Sequence, residues 1–229
     1  MRRPAPAMTR ALLPAMLWMF AGNAAAQASI PPPGAGIVIV EPDVVLWSVA
    51  PGLHPVLRPS WAEPARGHVV AALHERLGRA RPTTDYRIPE GLDPALPLAQ
   101  SLRLGDALAL TVATRDRPLH GYATRTGPAG GAHAPDWTLG PGLSGLGQQG
   151  GNAFALLVYL HEGYGRDGRP VRRDGDAPTE LAPLAVALLV DLRNGRVVWS
   201  HRLDRTAGDV READGARAVV DALLADLPP

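Results

Sequence analysis

The chain has 229 residues, 46% of them hydrophobic, with 23 basic and 22 acidic side chains and no cysteine. That length supports one sizeable core, which must form without disulfides, and there is no thiol to accept a lipoprotein's lipid. The near-neutral balance excludes a nucleic-acid binder, which needs a net basic face; every basic residue is arginine, as in a chain equally rich in Ala, Gly and Pro, so arginine richness is no sign of phosphate binding.

Residues 1–28 read as a secretory signal peptide. Arg2, Arg3 and Arg10 form a basic start, Ala11 to Ala21 a short apolar run, and Ala26-Gln27-Ala28 a small-x-small cleavage site. Pro14 and Gly22-Asn23 leave that run short of the roughly 20 residues that span a bilayer. Cleavage near Ala28 removes three arginines and no acids, leaving 20 basic and 22 acidic residues. The expected location is the periplasm, with no transmembrane segment in the mature chain.

A stiff linker, 29–36, carries three consecutive prolines. A single domain over 37–229 is expected to follow. Ile37 to Val49 is a β-branched strand interrupted at Pro42, which predicts a bulge or a bend between two short strands. Ser60 with Glu63 predicts a capping box, with Pro64 in the first turn, and Ala65, Val69, Ala72, Leu73 and Leu77 form the apolar stripe of a helix ending at Gly78. Thr84 to Ile88 fits a short strand. Pro94 to Val112 fits a second helix through Leu98, Leu102, Gly105, Ala109 and Val112, although Leu108 to Ala113 also suits a strand.

Residues 114–151 are rich in Gly, Pro, Ala and Thr and lack periodicity, so they read as a long loop pinned by Trp137 and Leu139. Ala153 to Leu160 reads as a strand, and 163–180 as a second long, polar loop. Leu184 to Leu192 is apolar throughout, as in a strand covered on both faces. Asn194-Gly195 predicts a type I′ turn, and Arg196 to Leu203 the returning strand, with Trp199 on the same face as Val197, His201 and Leu203. Asp209 and Glu212 cap a last helix with the stripe Ala216, Val219, Val220, Leu223, Leu224 and Leu227. The expected fold is α/β (α+β): a mixed, mostly antiparallel sheet under about three helices, closing on a β-hairpin and a helix.

Chemical motifs have plain structural explanations. Gly163-Tyr-Gly-Arg-Asp-Gly168 matches a dinucleotide fingerprint in spacing, but no helical stripe follows to point N–H groups at a pyrophosphate. His161-Glu162 opens like a zinc-protease motif without the second histidine one turn on, and His68 and His74 sit on different faces of their helix. Asp174, Asp176 and Glu180 lack calcium-loop spacing, and Ser144 does not sit in a G-x-S-x-G elbow. Arg166, Arg169, Arg172 and Arg173 are diluted by neighbouring acids and read as a solvated loop. No residue is assigned a catalytic, cofactor-binding or metal-binding role, and no cofactor is expected.

The stretches ALLVDLRNGRVVWSHRL and GDVREADGARAVVDALLADLP, with DWTLGPG from Asp136 and AFALLVYLHEGYGRDGR, resemble the carboxy-terminal half of a family of uncharacterised exported bacterial envelope proteins. More distantly they are similar to the small α/β domain of the curli-secretion-channel and TolB amino-terminal type. That resemblance implies a non-enzymatic protein that binds or scaffolds an envelope protein partner. The alternative is a periplasmic hydrolase or carbohydrate-active enzyme with a loop lid, for which Asp136, Glu162 and Asp191 are the carboxylates to inspect.

Overall fold

The computed structural model describes residues 32, 34–50, 54–114, 137–148, 150–171, 184–203 and 207–227. The proposed signal peptide, most of the following linker, and residues 115–136 and 172–183 of the two long loops lie outside them. In chain order the elements are β1 (Ile37–Val40), β2 (Asp43–Ser48), β3 (Val56–Leu57), α1 (Pro59–Leu77), β4 (Thr83–Tyr86), α2 (Pro97–Thr114), a 3₁₀ turn (Pro141–Leu143), α3 (Ser144–Gly147), β5 (Phe154–Tyr164), β6 (Leu184–Asp191), β7 (Arg196–Arg202) and α4 (Ala213–Leu223).

One mixed sheet joins all seven strands, and its pairings divide evenly between parallel and antiparallel. β6 runs antiparallel along Phe154–His161 of β5, so β1 and β2 share the opposite edge of β5, both parallel to it. Ile39 stands opposite Leu156 and Asp43 opposite Tyr159. Three residues, Val40, Glu41 and Pro42, therefore face only Leu157 and Val158, which is a one-residue bulge. Pro42, which has no N–H for a ladder, falls inside it, as its place in the sequence predicts. β4 flanks β1 and β3 flanks β2, while β7 closes the other side beyond β6.

Period-two alternation sorts the strands into two cores. Ile37, Ile39, Leu156, Leu160, Ala187 and Leu189 pack beneath α1 and α4, with the expected stripes of both helices. Val38, Val40, Ala155, Leu157, Val186 and Leu188 pack on the other face beneath α2, Leu139, Leu143 and Leu146. All eight residues of β6 are buried, since this central strand is covered by helices on both sides. Within the first long loop, Leu139 packs on the sheet as expected, and Pro141–Gly147 form two short helical turns.

Several local expectations are corrected. Pro59 takes the first position of α1, where its fixed φ and missing donor suit a helix start, so Ser60 is already helical and makes no cap bond. Glu63 turns instead to Arg66, and Pro64 lies inside the helix. Glu212 precedes α4 without a side-chain cap, because the Asp209 carboxylate is taken by Arg211. Residues 108–113 are helical. The β6–β7 connection is not a two-residue turn: Asp191 pairs with Arg196, and the Asp191 carbonyl accepts both Asn194 N–H (3.4 Å) and Gly195 N–H (2.8 Å). Gly195 takes the left-handed conformation expected of it, at φ 69°. A bulge where the β6–β7 register slips past Leu189 flips the pleat, so Val197 faces α2 while Trp199 faces α1 and α4.

Candidate functional site

β5 runs on through Gly163 and Tyr164, and its pleat sends two polar pairs to opposite faces. Glu162 and Tyr164 point toward α1 and α4. The Tyr164 hydroxyl donates to Glu162 Oε2 at 2.6 Å, and both residues are buried. The Arg211 guanidinium lies 3.8 Å from the Tyr164 ring centroid and 5.0 Å from that of Trp61, and it holds Asp209 through Nε and Nη2. Arg211 also donates to the Gly168 carbonyl, tying in the 165–170 turn, which closes through Val171 N–H to the Gly163 carbonyl. That turn makes no helix amino terminus for a nucleotide. Burial, then Glu162 and Asp209, push the Tyr164 phenol far above its usual range, so it remains a hydrogen-bond donor. Tyr164 to Glu162 Oε2, Arg211 to Asp209 and the Tyr164 and Trp61 rings around Arg211 make a structural clasp of this corner.

Tyr159 and His161 point the other way. His161 Nε2 lies 2.7 Å from Asp43 Oδ2 on β2, and the Tyr159 hydroxyl bonds to Asp106 on α2, beside Gly105, where a side chain would collide with it. Asp106 is exposed as a residue, yet its carboxyl is held above its usual range by crowding protein and by the Asp43 charge, against the opposing pulls of Tyr159 and His161. Among the described residues no hydroxyl or thiol is hydrogen-bonded to His161. No three His, Cys, Asp or Glu side chains gather as a metal site among the described residues either.

Of the carboxylates singled out in the sequence, Asp136 lies outside the described residues. Glu162 sits in the clasp. Asp191 stands opposite Phe154, eight residues along β5 from Glu162, which is roughly 26 Å at 3.3 Å per residue. The fold therefore does not bring Glu162 and Asp191 together. Asp191 instead builds the hairpin turn, accepting Arg193 N–H (2.9 Å) and pairing with the Arg193 guanidinium (2.6 Å). Burial favours its neutral form, but the hydrogen bonds and charge of Arg193 prevail and hold its carboxyl below the usual range. A depressed folded pKa contributes stability above the unfolded value of about 3.9 and loses it as pH falls through the folded value. Asp191→Asn is accordingly expected to cost about 1–2 kcal/mol at pH 7, with the difference from wild type shrinking below pH ~4. Urea titrations at pH 7 and pH 3 check this, and equal differences at both would refute it.

The remaining feature of note is the outer face of α2. Its buried seam is Ala99, Ser101, Gly105, Ala109 and Ala113. At 100° per residue, Ala107 falls at the centre of the opposite, exposed arc, with Leu104 and Leu110 some 60° to either side. Leu104 is 51% and Leu110 50% exposed. Thr111 and Thr114 turn their hydroxyls back onto the Ala107 and Leu110 carbonyls, so they add little free polarity. From Ala107 to Thr114 the helix carries no charge. Arg202 of β7 donates to the carbonyls of Val112 and Ala113, anchoring the end of this surface to the sheet. The stripe read from the sequence, on Leu98, Leu102 and Val112, marks the sheet-facing side, whereas Leu104 and Leu110 fall outside it.

No described helix is long and apolar enough to cross a membrane. No family model matches the chain, including any of the curli-secretion-channel or TolB type, and no curated protein matches it. Among solved structures the chain is similar to two PelC dodecamers from Paraburkholderia phytofirmans, both at TM-score 0.36. One is 12% identical, over 86% of this chain and 90% of that one; the other is 14% identical, over 85% and 88%. It is also similar to lipoprotein GNA1162 from Neisseria meningitidis, at 17% identity and TM-score 0.26, over 74% of this chain and 78% of that one. Likenesses of that size assign neither fold nor function.

Proposed function

We propose that this is an exported, non-enzymatic protein that binds or scaffolds a protein partner in the periplasm. The observation that carries the reading is the outer face of α2, where Leu104 and Leu110 stand half-exposed around Ala107, beside Arg103, with no cover among the described residues. Export is supported by the basic start, short apolar run and small-x-small site of residues 1–28. The separation of Glu162 from Asp191 favours binding over hydrolysis, because paired-carboxylate chemistry needs both groups within one cleft.

In-cell crosslinking of the exported protein, with mass spectrometry of the captured chains, tests this. Wild type is expected to capture a defined envelope protein, another chain or its own, and Leu104→Asp/Leu110→Asp to lose at least about tenfold of that yield, as for hot-spot residues. Because both side chains are exposed, the variant should unfold within about 0.5 kcal/mol of wild type. Equal capture by both proteins, or recovery of abundant bystanders only, would overturn the reading.

A further inference from the structure

We infer that Asp106 of α2, set against Asp43, Tyr159 and His161 of the sheet, is a proton-operated latch: protonation of its carboxyl tightens the hold of α2 on the sheet, and ionisation loosens it. The device does not depend on what binds the outer face of that helix. Strand register and the pleat bring the four groups together. Tyr159 and His161 are two residues apart on β5, and Asp43 stands opposite Tyr159 in the parallel pair, so all three side chains rise from the α2 face of the sheet. His161 Nε2 lies 2.7 Å from Asp43 Oδ2. α2 crosses over them at Gly105, where a Cβ would stand 2.4 Å from the Tyr159 hydroxyl. That close approach delivers the neighbouring Asp106 to the same hydroxyl, which bonds its carboxyl.

The charges around Asp106 work against its ionised form. Facing it are a second carboxylate, Asp43 of β2, and the Tyr159 hydroxyl and His161 imidazole of β5. Leu184–Val190 of β6 and the Pro141–Gly147 turns bring no ionisable side chain. On α2 itself Arg103 is exposed, three residues back, and Arg202 of β7 is directed to the carbonyls of Val112 and Ala113. Burial and then the Asp43 charge raise the Asp106 carboxyl above its ordinary range, against the weaker pulls of Tyr159 and His161. A raised folded value contributes stability that is fully present below the unfolded value of about 3.9 and is lost as pH rises through the folded one. Asp191 and Asp209 act with the opposite sign, and only as pH falls below about 4, so the two effects occupy different pH windows.

α2 is the element that such a charge can move. Its buried seam, Ala99, Ser101, Gly105, Ala109 and Ala113, holds no large side chain, so each position withdraws little apolar surface from water. The larger residues beside the seam, Leu98, Leu102, Leu108 and Val112, are only partly buried. α1 and α4, by contrast, plant Val69, Leu73, Val219 and Leu223 fully in their core. Ser101 Oγ donates to the Leu139 carbonyl at 2.6 Å near the start of α2, Arg202 holds its end, and Asp106 sits between the two anchors. A helix seated on small side chains opens locally at lower free energy than its neighbours, so the cost of an ionised Asp106 falls on that opening.

Hydrogen exchange of the α2 amides in the full chain, corrected for the intrinsic rate at each pH, tests the latch. Wild type is expected to lose at least about threefold in α2 protection between about pH 4.5 and pH 7.5. Asp106→Asn keeps an oxygen to accept from the Tyr159 hydroxyl and loses only the charge, so its α2 protection should hold the acid-side level at both pH values. Carboxyl carbon-13 NMR, with the Asp106 resonance assigned by its absence from that variant, reads the titration itself. Its midpoint should fall in Asp43→Asn, which removes a like charge, and rise in Tyr159→Phe, which removes a donor. The Asp43 side chain is 45% exposed, so that variant keeps the test decisive if Tyr159→Phe fails to fold. Wild-type α2 protection that is constant with pH, or an equal fall in Asp106→Asn, would sink the latch. A midpoint that fails to drop in Asp43→Asn would do the same.

Discussion

Gly195→Ala is expected to lower the unfolding free energy by about 3 kcal/mol or more. Two independent penalties act at this position. The residue holds φ 69°, where a side chain carries a strain of order 1 kcal/mol. A Cβ would also lie 1.8 Å from the Gly140 carbonyl oxygen, a backbone atom that cannot swing aside as a side-chain tip can. Relief requires peeling residues 137–140 from β7, with loss of the bonds from Leu139 N–H to the Gly195 carbonyl and from Val197 N–H to the Trp137 carbonyl. Equilibrium urea unfolding reads the change, and a loss under about 1 kcal/mol would show that the two segments do not press together as described. Gly145→Ala, where a Cβ would meet nothing within 4 Å, serves as the neutral control.

The second large effect is expected of Tyr164→Phe, at about 2–4 kcal/mol near neutral pH. Removing one oxygen leaves the packing against Trp61 and Arg211 in place but withdraws the single proton given to Glu162 Oε2, beside Asp209. The acceptor is a buried carboxylate, for which a lost bond costs more than for a neutral group. Asp209 supplies a pH signature. Burial raises its pKa, but the Arg211 hydrogen bonds and charge and the Tyr164 hydrogen bond together bring it below the usual range. Its stabilisation is complete above about pH 4 and fades as pH falls through the folded value. In Tyr164→Phe the Asp209 carboxyl moves back toward its ordinary range, so acid unfolding begins at higher pH, and the gap to wild type narrows once the carboxyls are protonated. Stability curves from pH 7 to pH 2 check both points; a gap that stays constant across that range would mean the lost energy came from packing rather than from the carboxylates.

The parts of the fold legible in the sequence are those whose signal repeats within one element. The eight-residue run of β6 announces burial on both faces, and the stripes of α1 and α4 occupy the core positions their spacing predicts. Pro42 marks the bulge because it cannot donate to any ladder, wherever that strand is placed. Ends were read less well, since several groups compete for a cap. Ser60 lost the start of α1 to Pro59, and Asp209 was drawn from α4 by the bidentate Arg211.

The candidate surfaces were harder to see. Asp43 and His161 meet across 118 positions, through a parallel pairing that no local pattern encodes. The exposed leucines of α2 were invisible for another reason: an apolar residue in a helix reads as core until the packing shows which arc the sheet occupies. Leu104 and Leu110 became informative only once Gly105 and Ala109 were seen to face the sheet.

By itself, then, the sequence determined the local alternatives. It specified an α/β chain with a doubly covered strand, amphipathic helices and a glycine turn, because side-chain periodicity and backbone chemistry act within a few residues. The tertiary structure alone decided which strands lie parallel, that a bulge turns Trp199 away from Val197, that Glu162 and Asp191 sit at opposite ends of β5, and that α2 leaves Leu104 and Leu110 outward. Those outcomes depend on contacts between distant segments, where the burial of one element selects the register of another.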